Sequence, residues 1–191
     1  MTSAELEGVK LKRWTRAEFE QTCLILNQEH LELVEADVID KQGETQAHAA
    51  SQPLLYDWLA GTFGAQQVRR AARIDVAPED NPSNEPEPDL IALNRNCAEL
   101  TSNPGPRDIL LVIEVADDST LGFDFHTKGA LYARAGIVEY WLLDIAGRRM
   151  IVHREPQEGR YRSRVAYTED ETLAPLAAPA AFLRIADAVA L

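Results

Sequence analysis

Two periodicities alternate along the chain, and their order predicts an α/β fold. Residues 15–26 place their apolar positions on one helical face, with Thr15 at an N-cap and Glu18 at the capping-box position. Residues 31–39 read as a strand entering a turn at Lys41-Gln42-Gly43, and strand parity puts Glu32 on the face of Val34, Ala36 and Val38. Glu35 and Asp37 then face solvent. Residues 46–63 predict a second helix, with Leu54, Leu55, Trp58 and Leu59 as its buried stripe and Gly61 or Gly64 as its end. Pro53 marks either the start of that helix or a kink in it.

Further along, 68–76 predicts a strand, and 77–88, rich in Pro, Asn, Asp and Glu, an exposed loop. A short strand at 90–93 and a polar loop at 94–107 precede the strongest signal, 109–115, whose unbroken apolar run suits a central strand covered on both faces. Residues 121–135 predict a helix stopped by Gly136, and 138–143 a second buried strand. A tight connection at 144–148 leads to strands at 150–153 and 161–167, around a turn at 154–159. There is no repeat and no low-complexity tract, so the expectation is one α/β domain over 1–191.

Composition adds limits. With 191 residues, 46% apolar and 26% charged, the chain has the makeup of a globular domain. No apolar run is long enough to span a bilayer. The N-terminal residues lack the basic-then-apolar order of a signal peptide, so a cytoplasmic location is expected. Cys23 and Cys97 are far apart and fit reduced, structural thiols. A formal charge of −12 is the reverse of what a nucleic-acid binder usually carries. Basic residues do cluster locally, at Arg69, Arg70 and Arg73 and at Arg160, Arg162 and Arg164. The second set alternates along a strand, as a solvated outer face or a DNA track would.

The chemistry concentrates between Asp89 and Asp144. Asp89 and Glu114 lie at the edges of apolar strands that short connections make neighbours. Buried carboxylates need a partner, and two of them together suit a hard cation, Mg²⁺ or Mn²⁺. Glu32, inward by parity, offers a third. Helical spacing aligns Asp124, Lys128 and Tyr132 on one face and puts His126 on the other. Lys128 there would orient a water or stabilise charge on a phosphate; spacing alone favours a surface Asp124–Lys128 pair. Tyr140, Trp141 and Trp58 read as core, His48 as a helix-surface histidine, and His30 and His153 have no evident partner.

Taken together, Pro88-Asp89, the strand ending Glu114-Val115, Ser119-Thr120, Asp124, Lys128, the segment from Tyr132 to Gly136 and the segment from Glu139 to Asp144 resemble the Uma-type family of putative restriction endonucleases, a branch of the PD-(D/E)XK nuclease superfamily. The Glu32-to-Val38 segment resembles that family's first strand, and His48 matches a family histidine. The resemblance implies a restriction-endonuclease-like central mixed β-sheet flanked by helices. It also implies Mg²⁺- or Mn²⁺-dependent DNA cleavage, with metal held by Asp89, Glu114 and the Val115 carbonyl. Lys128 would be the catalytic lysine, moved onto a helix from its usual strand position, where this chain has Ala116. Ala36 stands where the family has Gly, and Asp117-Asp118 replace Ser-Pro. A homodimer fits duplex cleavage. The rival reading is a catalytically inactive nuclease fold serving as a binding or scaffold module, favoured by the −12 charge and Ala116; a metal hydrolase acting on another substrate is a third.

Overall fold

The computed structural model describes residues 11–26, 30–41 and 45–189. Its centre is a six-stranded mixed sheet in the order β3-β4-β5-β6-β7-β8, formed by β3 (Val68–Arg70), β4 (Leu90–Leu93), β5 (Ile109–Ala116), β6 (Glu139–Asp144), β7 (Arg149–Gln157) and β8 (Arg160–Thr168). Only β5 and β6 run parallel. A helical crossover joins them, as a parallel pair requires. The fold is therefore the α/β mixed sheet with flanking helices that the sequence implied.

Side chains alternate along β5, which explains how both faces are filled. Leu111, Ile113 and Val115 join Leu55 and Leu59 of α2 (Gln46–Phe63) on one face. There Trp58 stacks on Trp141, ring centroids 5.7 Å apart. Val112 and Ala116 point the other way, into a layer with Tyr132, Ile137 and Tyr140. Glu114 shares that second face by parity. Helix α1 (Arg16–Leu26) covers a hairpin of β1 (Leu31–Val34) and β2 (Asp37–Asp40), with Phe19 and Cys23 against Leu31 and Leu33. Its N-terminus is the expected capping box: Thr15 N–H donates to Glu18 at 3.0 Å and Glu18 N–H to the Thr15 hydroxyl at 3.3 Å.

Several sequence expectations need correction. Residues 31–39 are two strands, not one, because Glu35 and Ala36 adopt left-handed φ of 52° and 62° and turn the chain back. Leu54 is exposed, since the buried stripe of α2 follows Leu55 and Leu59; Pro53 lies inside the helix, and Gly64, φ 95°, ends it. The third strand stops at Arg70, where Ala71 takes φ 44°. Residues 77–88 are not wholly exposed: Asn84, Glu85 and Glu87 are buried. Glu85 exchanges backbone bonds with Leu33, and Arg16 and Arg73 neutralise its carboxylate. Composition cannot distinguish such a pinned polar strap from a solvated loop. Strands β7 and β8 extend to a two-residue turn at Glu158-Gly159, longer than the hydrophobic pattern indicated. The Gln42-Gly43 part of the expected turn lies outside the described residues.

Candidate active site

Residues 121–134 are helical but not uniformly α-helical. A π-helical turn, Asp124–Lys128, separates α3 (Leu121–Phe123) from α4 (Gly129–Arg134). Such insertions often re-aim side chains at functional sites. Here the wide turn buries both Asp124 and Lys128, and Tyr132 follows one turn on. The three lie over Glu114 on the facing strand. His126 is exposed on the other side, as its spacing indicated.

The register Leu90↔Ile113 in the antiparallel β4–β5 pair brings Asp89 opposite Glu114. Each fixes the other: Asp89 N–H donates to Glu114 Oε2 at 3.3 Å, and Val115 N–H donates to Asp89 Oδ2 at 2.8 Å. Lys128 Nζ lies 2.9 Å from Glu114, 3.0 Å from Glu32 and 3.7 Å from Asp124. The Tyr132 hydroxyl donates to Glu114 at 2.7 Å. Glu32 uses its second oxygen to accept from Glu87 N–H at 3.0 Å. Both oxygens of Glu32 are thus engaged, one on the lysine and one on the strap.

Two contributors lie outside the site that strand edges and helical spacing indicated, although the resemblance matches His48 to a family histidine. Lys41, just past β2, reaches Glu87 O at 2.8 Å and Asp89 Oδ1 at 3.2 Å. His48, in the first turn of α2, is buried, and its Nε2 sits 3.3 Å from Asp89 Oδ2. Thr45 aims that turn by accepting His48 N–H. Lys41 resembled a turn residue and His48 a surface histidine; only the hairpin and the docking of α2 bring them to Asp89. These groups line a cleft of about 180 Å³ together with Val115, Ser119 and Thr120. Asp117 also borders it, accepting from Ser119 N–H at 2.9 Å and Ser119 Oγ at 2.6 Å. Its role is that of a turn-forming cap.

Electrostatically the cleft is unbalanced. Four buried carboxyl groups (Glu32, Asp89, Glu114, Asp124) meet two ammonium groups (Lys41, Lys128). Burial pushes Glu114 up to about 8, against the pull of Lys128 and with the push of Asp89 and Asp124. Burial likewise raises Asp124 to about 6. Asp89 goes the other way: burial opposes its charge, but the His48 bond and Lys41 hold it well below the usual carboxylate range. Burial also opposes the Lys128 charge, yet Glu114 and Glu32 raise that ammonium well above its ordinary value. Buried Tyr132, pushed far up, stays a neutral donor.

Among the described residues, no three acidic, histidine or cysteine side chains form a ready metal cage. Lys128 occupies the point where Glu32, Glu114 and Asp124 converge. The donor set nevertheless fits a hard divalent ion at Asp89 and Glu114. Both are oxygen ligands on one cleft, and a divalent ion there would favour the ionised form of Glu114 that burial disfavours.

A family profile described as "Putative restriction endonuclease" (Uma2) matches residues 16–186. No curated protein matches significantly. A crystal structure of "a putative nuclease belonging to DUF820" from Anabaena variabilis superposes with a TM-score of 0.69 at 18% identity, covering 92% of this chain and 97% of the other. No helix among the described residues is long and apolar enough to cross a membrane.

Proposed function

Since the chain belongs to the Uma2 family of putative restriction endonucleases, we propose that it is a Mg²⁺-dependent DNA endonuclease that hydrolyses phosphodiesters by an activated water, with no covalent intermediate. The observation that carries this reading is the surplus of buried carboxylate over ammonium in one cleft. Asp89, Glu114 and the Val115 carbonyl would hold the metal. When bound, the ion supplies Lewis-acid polarisation of the phosphate and a more acidic water.

The chain's own groups do the positioning. Lys41 and His48 fix Asp89 from one side, and Tyr132 and Lys128 fix Glu114 from the other. An ammonium has three donors. Lys128 directs one at Glu114 and pairs in charge with Glu32 at 3.0 Å, while Asp124 at 3.7 Å is beyond hydrogen-bond length. A donor of Lys128 therefore remains for a phosphate oxygen or the attacking water. Lys128 replaces, from the helix, the strand lysine missing at Ala116. We further read the chain as one nuclease-like domain, cytoplasmic and paired as a homodimer on duplex substrate.

Plasmid nicking in Mg²⁺ or Mn²⁺ against EDTA tests the reading. Wild type is expected to nick only with metal, Glu114→Ala not at all, and Lys128→Ala at a rate lowered by roughly 10²-fold or more. Full activity in Lys128→Ala would remove its catalytic role. Wild-type protein that neither binds metal nor nicks would leave the inactive-scaffold reading.

A further inference from the structure

Most arginines of this acidic protein lie against carboxylates, as Arg16, Arg73, Arg134 and Arg154 do. The three of β8 differ. Arg160, Arg162 and Arg164 are exposed, and none has a carboxylate partner among the described residues. They line one open groove of about 400 Å³ with Gln157, Glu158 and Tyr161. Arg164 lies 5.6 Å over the Phe125 ring, a contact that places the guanidinium without neutralising it.

A second observation points into the same place. A neck of about 60 Å³ shares Arg160, Tyr161 and Arg164 with the groove and adds Phe125, His126 and His153. His153 is 1% exposed, and its ring nitrogens make no well-formed hydrogen bond, with only backbone groups of Tyr140 and Ile151 as polar neighbours. A buried imidazole without a well-formed hydrogen bond is costly unless a ligand or water completes it.

We propose that this groove binds the sugar–phosphate backbone of a DNA strand flanking the bond cut in the cleft; that the polyanion is DNA rests on the endonuclease reading. Exposed guanidinium groups without counter-charges suit phosphate oxygens. Strand rise spaces Arg160 from Arg164 by about 13 Å, roughly four nucleotide steps at 3.4 Å each. Phe125 and His126 directly follow Asp124 of the cleft in the same π turn. Groove and cleft thus flank one helical segment, about 10–12 Å across, within reach of a continuous duplex.

The test is binding of a fluorescein-labelled 20-base-pair duplex in EDTA across a salt series, with cleavage in Mn²⁺ measured on the same samples. Replacing Arg160, Arg162 and Arg164 by Ala is expected to weaken binding at least tenfold at low salt. It should also flatten the log–log salt slope by about 2–3, near 0.9 per lost phosphate contact. The triple Lys variant should restore both, which separates charge from folding. Arg164→Ala should weaken binding more than Arg107→Ala, which changes net charge equally. Equal binding by wild type and the triple Ala variant overturns the groove while leaving cleavage in the cleft intact. No wild-type binding at low salt also overturns it. Arginine-dependent binding without Mn²⁺ cleavage upholds the groove and removes the endonuclease reading.

Discussion

Carboxylates are buried in two regions of this molecule, and they are treated in opposite ways. At the ends of β6, Glu139 and Asp144 are each matched one for one. Glu139 accepts from Arg154 at 2.6 Å, Trp141 Nε1 at 2.9 Å and Leu176 N–H at 2.7 Å. Asp144 accepts from Arg149 and from Gly147 N–H, both at 2.8 Å. In the cleft, four carboxyl groups share two lysines, and Glu114 and Asp124 are pushed up toward the neutral form. A buried acid is therefore not itself a sign of chemistry, because a matched one locks a strand end. An unmatched group of them costs stability that only function explains.

Removing one member from each region should have opposite consequences. Glu139→Ala strands a half-buried arginine and two N–H groups, so it is expected to cost about 3–5 kcal/mol in urea unfolding while leaving metal affinity unchanged. Glu114→Gln keeps an acceptor for Tyr132 and mimics the neutral form toward which burial pushes this carboxyl. Metal-free protein carrying it should be at least as stable as wild type, although nicking falls to background. A large loss of stability in Glu114→Gln would erase the contrast.

The histidines repeat it more weakly. His48 meets a carboxylate, whereas His153 is enclosed by Phe125, Tyr140 and Tyr161 with Arg164 opposite it. Burial, reinforced by Arg164, lowers His153 to about 4. The folded state then binds fewer protons than the unfolded chain between pH 4 and 6.5. His153 stability is complete above pH 6.5 and is lost as pH falls through that window, by up to about 3 kcal/mol. Urea midpoints of wild type and His153→Phe should diverge in pH dependence there and run parallel above it.

Two hairpin turns give the smallest contrast. Glu158-Gly159 and Glu35-Ala36 both take left-handed φ, 52° and 72° in the first, 52° and 62° in the second. Only the first has glycine at its second position. Ala36→Gly should therefore raise stability by about 1 kcal/mol, seen as a higher melting temperature with nicking unchanged.

The mixed sheet was legible in the sequence because β5 and β6 are continuous apolar runs, and Asp89, Glu114 and Lys128 because strand edges and helical spacing are local signals. Lys41 was not, since what brings it to Asp89 is a turn made by Glu35 and Ala36, residues with no turn signature; His48, matched only by resemblance, reaches Asp89 through the docking of α2. The strap around Glu85 was misread for a related reason: its acids are neutralised by arginines 12 and 69 positions away. Long-range pairing leaves no periodicity to read.

Calorimetric titration of Mn²⁺ into wild type and Glu114→Gln, with the stability of both metal-free proteins confirmed first, tests the central claim most directly. The charge surplus predicts saturable binding by the wild type and its loss in the variant, with no loss of fold. A folded wild type that takes up no Mn²⁺, or a variant that binds as tightly, would contradict it.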